Sequence, residues 1–204
     1  NIVINAAAYT NVEKAESESN IAFQVNSLGP KFIANALLKN GGKLLQISSD
    51  YVFDGATNNA YKTHHKRSPI SIYGKTKSNG EEFIEEILYP TKQVIILRSS
   101  WIMGIYGENF AKKMLQMHRN KNSFKVISDQ YGAPTSAISL AKLCWQLTEM
   151  EIKKTSIPSI IHWRNSGIAS WYDIAVAIGE ICLEIGLLNN SAKVIPIKTD
   201  EYLT

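Results

Sequence analysis

Apolar β-rich runs alternate with helix-period runs along the whole chain. That alternation restricts the fold more than any other feature of the sequence. It predicts an α/β fold with a largely parallel sheet. The first strand is Ile2 to Ala6, and Glu13 to Asn20 is polar. A helix is predicted from Ile21 to Lys39, with Ile21, Val25, Leu28, Phe32, Ile33, Ala36 and Leu37 on its apolar positions and Gly41-Gly42 as its stop. A second strand covers Lys43 to Ser48, and Tyr51 to Ser68 is irregular and long enough to suggest function. A helix over Ile70 to Leu88, stopped by Pro90, leads to a third strand, Val94 to Leu97.

Beyond residue 100 the strands shorten and the loops lengthen. A helix over Glu108 to Arg119 and a strand over Phe124 to Ile127 precede the loop Asp129 to Thr135, and a helix then runs to Glu149. A strand over Ser159 to Trp163, a helix opened by Ser170 as N-cap and running to Ile185, and a last strand Val194 to Ile197 complete the pattern. The reading is a nucleotide-binding part over residues 1–104 and a smaller lobe with returning strands over 105–204, with a gradual boundary.

In open parallel sheets, ligands bind at the carboxyl ends of the strands. Three predicted strand ends carry small or polar residues: Asn5-Ala6-Ala7-Ala8, Ser48-Ser49-Asp50 and Ser99-Ser100-Trp101. Tyr73 and Lys77 stand one helical turn apart just beyond the second. An ammonium beside a phenol can stabilise the phenolate and lower its pKa from about 10. Such a phenol can exchange a proton with a substrate oxygen, and a strand-end hydroxyl could hold that oxygen. Exposed helices also carry this spacing without chemistry. Of the nine tyrosines, only Tyr73 has Lys at i+4, so the pair gains weight from the three strand ends around it.

Composition excludes several alternatives. The 204 residues are 45% hydrophobic and 20% charged, with a net charge of +4. No run reaches the ~18 to 20 apolar residues of a membrane span. The basic cluster His64-His65-Lys66-Arg67 lacks interleaved aromatics and reads as a solvated loop, not a nucleic-acid surface. Cys144 and Cys182 have no metal-ligand spacing and read as reduced core residues of a cytosolic protein. No metal site is expected. The chain opens inside a strand-like run, which reads as an internal piece of a longer protein.

Several runs together resemble the extended short-chain dehydrogenase/reductase family, in its branch acting on nucleotide-linked rhamnose precursors. They are Val3 to Thr10, Val12 to Glu16, Ala22 to Asn26, Ile47 to Gly55, Tyr73 to Lys77, Leu97 to Trp101, Asn109-Phe110, Asp129 to Thr135 and Ser170 to Tyr172. Tyr-x-x-x-Lys marks only the superfamily. Ser-Asp-Tyr-Val-Phe-Asp-Gly and Asp-Gln-x-Gly-Ala-Pro-Thr mark the branch.

The resemblance implies a Rossmann-like, doubly wound, mostly parallel sheet with its first strands missing and a smaller C-terminal substrate lobe. It also implies hydride transfer from NADPH or NADH to C4 of a 4-keto-6-deoxy sugar on a dTDP carrier. Tyr73 is then the proton donor, Lys77 holds the nicotinamide ribose and lowers the phenol pKa, and Ser49 binds the reacting oxygen, where the family usually has Thr. Ala7, Ala8, Tyr9, Thr10 and Ile47 would line the cofactor. Asp50, Tyr51, Trp101 and Asn109 would contact the sugar nucleotide. Asn26 would support Lys77 through water. A second copy of the chain is a possible partner; nucleic acid and membrane are not. The family's Gly-rich phosphate loop does not occur within this sequence, and this predicts a chain that by itself binds nicotinamide poorly and turns over little. Two rival readings are a non-catalytic relative, such as a methionine adenosyltransferase regulatory subunit, and another sugar-nucleotide enzyme of the superfamily. Retention of Ser49, Tyr73 and Lys77 argues against the first. Tyr51, where a dehydratase usually has glutamate, argues against the second.

Overall fold

A computed structural model describes residues 1–202. In chain order the elements begin with β1 (Ile2–Asn5), α1 (Val12–Ala15), α2 (Ser19–Phe23), a π-helical turn over Gln24–Leu28, α3 (Gly29–Asn40) and β2 (Lys43–Ser49). A 3-10 turn (Asp50–Val52), α4 (Ile72–Leu88), β3 (Val94–Ser99), β4 (Ile102–Met103), α5 (Phe110–Asn120) and β5 (Ser123–Ile127) follow. The chain continues through β6 (Tyr131–Gly132), β7 (Thr135–Ser136), α6 (Ala137–Ile152), β8 (Ile160–His162), β9 (Ala169–Ser170), α7 (Trp171–Glu184), β10 (Lys193–Ile197) and α8 (Thr199–Tyr202).

Two compact units result. The first takes Asn1–Ser100 and Leu140–Trp163, and the second Trp101–Ser139 and Arg164–Thr204. The division is therefore not a single cut near residue 104. The chain leaves the first unit after β3 and returns through α6 and β8, because β8 completes the first unit's sheet.

That sheet is parallel throughout, in the order β1-β2-β3-β8. Both faces are covered, as parallel sheets require. Leu44, Val94 and Ile96 pack against Ala34 and Leu37 of α3 and Ile84 and Leu88 of α4. Leu45, Ile95 and Leu97 pack the opposite way, against Leu140, Cys144 and Leu147 of α6. Consecutive strand residues thus enter opposite cores, the expected result of a two-residue side-chain period. Burying each of these large side chains contributes about 2 kcal/mol. This is the doubly wound arrangement read from the sequence.

The second unit packs α5 and α7 over a parallel pair, β5 and β10, through Met114, Phe124, Val126 and Ala175. Ser170 caps α7, as its position before an apolar helix predicts. Its hydroxyl accepts from Asp173 N at 3.0 Å, and the Asp173 carboxylate accepts from Ser170 N at 2.8 Å. Ser170→Ala removes one arm of this capping box and is expected to lower stability by about 1 kcal/mol in a urea melt. Cys144 and Cys182 are buried and free, as expected.

The single helix predicted over Ile21–Lys39 is broken by the π-helical turn. Pro30 has no N–H to bond one turn back, and its ring crowds the carbonyl of Asn26. Widening the helix over Gln24–Leu28 relieves that crowding. β2 and β3 also run further than predicted, to Ser49 and Ser99. The register pairs Ser48 with Arg98 and Ser49 with Ser99, so polar side chains continue the ladder.

Candidate active site

The reactive groups of the first unit gather where β2 ends and α4 begins. Ser71 caps α4, its hydroxyl accepting from Gly74 N at 3.1 Å. The Glu16 carboxylate accepts from Ile72 N at 2.9 Å, which suits an anion at a helix N-terminus. The inner face of α4 carries Lys77, Glu81, Ile84 and Leu88, all buried. Tyr73, half-buried, lies one turn before Lys77 on that face.

Two glycines bring this helix down onto bare backbone. A Cβ on Gly74 would lie 2.2 Å from Tyr51 O, and one on Gly80 would lie 2.2 Å from Asn26 O. The helix is therefore seated against the turn after β2 at one point and the π-helical turn at another. Ser27 Oγ donates to Thr76 O at 2.7 Å and reinforces the second contact.

Ser49 ends β2 and caps the 3-10 turn, accepting from Tyr51 N at 3.2 Å. Ser49 Oγ donates to Asp50 Oδ1 at 3.1 Å, and Ser49 also acts on the Tyr73 phenol, favouring its ionised form. The Tyr51 and Tyr73 rings meet edge-on, with centroids 5.4 Å apart. Lys77 is 5% exposed, and its Nζ donates to Ile47 O at 2.8 Å. Ser49, Asp50, Tyr51, Tyr73, Lys77 and the Ile47 strand end thus come together.

The electrostatics differ from the simple expectation for a phenol beside an ammonium. Burial, assisted by the Asp50 and Tyr51 charges, pushes the Tyr73 phenol up to about 12, against the opposing hydrogen bond from Ser49. Burial pulls Lys77 down to about 8, with Glu81 opposing the shift. Asp50 is raised to about 6, again by burial. The expectation that Lys77 lowers the phenol pKa is therefore corrected for the chain alone. The ammonium is turned to the Ile47 carbonyl, and desolvation dominates the phenol.

Asn26 sits in the π-helical turn and makes no direct bond to Lys77. Its Oδ1 accepts from Tyr9 N at 2.9 Å, and its Nδ2 donates to Tyr9 O at 3.1 Å and to Thr76 Oγ1 at 3.2 Å. It ties the loop after β1 to α4. In that loop Ala6, Ala7 and Thr10 are exposed, and Ala8 and Tyr9 half-buried. Small side chains at one strand end, with a buried ammonium and a phenol beside the next, form a donor set that fits the nicotinamide-ribose end of a dinucleotide.

Trp101 and Asn109 belong to the second unit. Trp101 has φ +45, unusual for a bulky residue, and stacks on Trp171 at 3.6 Å. Asn109 caps α5, accepting from Lys112 N at 3.2 Å and donating to Gly104 O at 2.6 Å.

One group escaped the sequence reading. Glu81 is 1% exposed and accepts from Ser48 Oγ, from Arg98 Nη2 at 2.6 Å and from Arg67 Nη1 at 3.0 Å. Arg67 also forks onto Glu85, at 2.7 and 2.9 Å. Arg67 thus departs from the solvated basic cluster predicted for residues 64–67, while His64, His65 and Lys66 are exposed. Arg98 Nη1 further lies 3.3 Å from His162 Nε2. The available signal was spacing: Glu81 extends the Tyr73–Lys77 face by one more turn.

Comparison with known proteins places this geometry. The RmlD substrate binding domain pattern matches residues 1–204. The dTDP-4-dehydrorhamnose reductase of Aggregatibacter actinomycetemcomitans is 38% identical over 205 residues, covering 100% of this chain and 69% of that protein. The dTDP-4-dehydrorhamnose reductase of Escherichia coli K12 is 34% identical, covering 100% of this chain and 67% of that protein. Among solved structures, the Bacillus anthracis dTDP-4-dehydrorhamnose reductase, in complex with NADP, superposes with a TM-score of 0.86 at 34% identity, covering 100% of this chain and 68% of that one. The chain spans about two thirds of the length of these relatives. Agreement along the full chain in both sequence and fold makes it a member of the RmlD family, that of the dTDP-4-dehydrorhamnose reductases.

Proposed function

We propose that this chain carries the catalytic residues of an NAD(P)H-dependent reductase that converts dTDP-4-dehydro-6-deoxy-L-mannose to dTDP-L-rhamnose. The observation carrying the reading is the gathering of Ser49, Tyr73 and buried Lys77 at the end of β2. Ser49 caps the turn that holds Tyr51, the Tyr51 ring meets Tyr73 edge-on, and Lys77 Nζ bonds Ile47 O. A reduced nicotinamide, when bound, supplies the hydride. The protein must then place a proton on the C4 oxygen and stabilise charge there beforehand.

Tyr73 gives its phenolic proton to that oxygen. A phenol held near 12 stays protonated at neutral pH, which suits an acid in the direction of reduction. Ser49 donates its hydrogen bond to the same oxygen and orients it. Lys77 balances the phenolate left behind and holds the nicotinamide ribose. Ala7, Ala8, Tyr9, Thr10 and Ile47 border the cofactor, with Asn26 bracing Tyr9. Asp50 and Tyr51 face the sugar. Family resemblance assigns Trp101 to the substrate also, and Asn109 to the nucleotide beside its capping role.

In this reading the first unit serves the cofactor and the second mainly the sugar nucleotide. The buried free cysteines fit a cytoplasmic protein. Ile21 and Phe32, exposed on α2 and α3, are apolar surface that a second copy would cover.

The test is product analysis with NADPH deuterated at the transferring position. Protein containing this sequence is expected to form dTDP-rhamnose with one deuterium at C4. Deuterium-free product, or an epimerised or dehydrated sugar, overturns the assignment.

A further inference from the structure

We infer that Glu81, clamped by Ser48, Arg98 and Arg67, is a positioning residue that sets both the charge of Lys77 and the alignment of α4 on β2. The inference rests on the reductase reading above and extends it to a group outside the reacting trio.

Two stitches join α4 to consecutive residues of β2. Lys77 Nζ donates to Ile47 O at 2.8 Å, and the Glu81 carboxylate accepts from the Ser48 hydroxyl. The next residue of β2 is Ser49, which caps the turn whose Tyr51 ring packs edge-on against Tyr73. A shift of α4 along β2 would therefore move Tyr73 relative to Ser49. Arg98 fixes Glu81 from the neighbouring strand through three bonds, at 2.6, 3.0 and 3.2 Å. A buried carboxylate held by two guanidiniums stays ionised. Burial works against its charge, but Arg98, Ser48 and Arg67 together hold its pKa below the usual carboxylate range.

That fixed negative charge lies one turn from Lys77 and favours the ammonium. Other charged or titratable groups come from each element packed on α4. Tyr73 lies on α4 itself, Asp50 and Tyr51 on the 3-10 turn, Arg98 on β3 and Arg67 on the preceding loop. Glu16 sits at the first turn of α4, and Lys31 of α3 lies over the Phe83 ring. The π-helical turn contributes Asn26 and Ser27, neither of which titrates. Of these groups Glu81 is the buried carboxylate on Lys77's own face.

The test uses protein containing this sequence, labelled with 13Cε-lysine, with the Lys77 signal assigned by Lys77→Arg. Glu81→Gln is expected to lower the Lys77 titration midpoint by about one pH unit. The basic limb of kcat/KM should move to lower pH by the same amount, since the protonated form is the active one. Ser48→Ala, a smaller change that leaves the Arg98 clamp, is expected to cut kcat roughly five-fold with KM for the sugar within two-fold. A Lys77 midpoint unmoved in folded Glu81→Gln overturns the charge role, and wild-type kcat in Ser48→Ala overturns the alignment role. If Glu81→Gln does not fold, Ser48→Ala decides the alignment role, and a Lys77 midpoint unmoved in the shortened Glu81→Asp variant overturns the charge role. A wild-type protein without C4 reduction refutes the reductase reading instead, and the titration still judges the effect of Glu81 on Lys77.

Discussion

Tyr73→Phe is expected to reduce turnover by roughly 10²- to 10⁴-fold while leaving nucleotide affinity within a few fold. The substitution removes one oxygen and keeps the ring, so the edge-on packing against Tyr51 survives. On the proposed reading, what is lost is the proton source for the C4 oxygen. Transition-state stabilisation then falls while ground-state binding is spared, so the effect should appear in kcat rather than KM. Single-turnover reduction followed at 340 nm, beside equilibrium titration of the dinucleotide, measures both. A Phe variant with near-normal turnover removes Tyr73 from the chemistry and reopens the reading of the chain as a non-catalytic binding protein.

Arg98→Ala should be strongly destabilising, costing about 3 kcal/mol. Glu81 is 1% exposed and would keep only Arg67 and Ser48 as partners. The cost comes mainly from a buried carboxylate stripped of its closest cation, not from lost packing alone. For a domain of this size the melting temperature should fall on the order of 10 °C. Adding Glu81→Leu to an Arg98→Met background should recover most of the loss, because replacing both charges removes the desolvation penalty. Thermal melts of the single and double variants decide the matter. A loss below 1 kcal/mol for Arg98→Ala means that water already screens the pair.

The sequence made the fold legible because its signals are local. Strand runs such as Leu44-Leu45 and the helical period of α4 require no knowledge of distant residues. The trio Ser49, Tyr73 and Lys77 was legible for a similar reason: two members share a helix, and the third closes a strand. Glu81 was not, since Arg98 and Arg67 lie 17 and 14 residues from it and meet only after folding. Arg67 was misread for the same reason, grouped with its exposed neighbours in sequence rather than with its carboxylates in space. The direction of the Tyr73 shift also lay beyond the sequence. The i+4 spacing shows that a cation is close, whereas desolvation depends on everything that covers the ring.

The seating of α4 on carbonyls of Tyr51 and Asn26 bears on how such proteins diverge. Where a helix rests on its neighbours through side chains, each core substitution nudges it. Here the spacer at both supports is hydrogen, which mutation elsewhere cannot resize. A side chain at either support would have to lift α4 off the carbonyl and carry the Tyr73 phenol with it, so a change at these two positions shifts the site most directly.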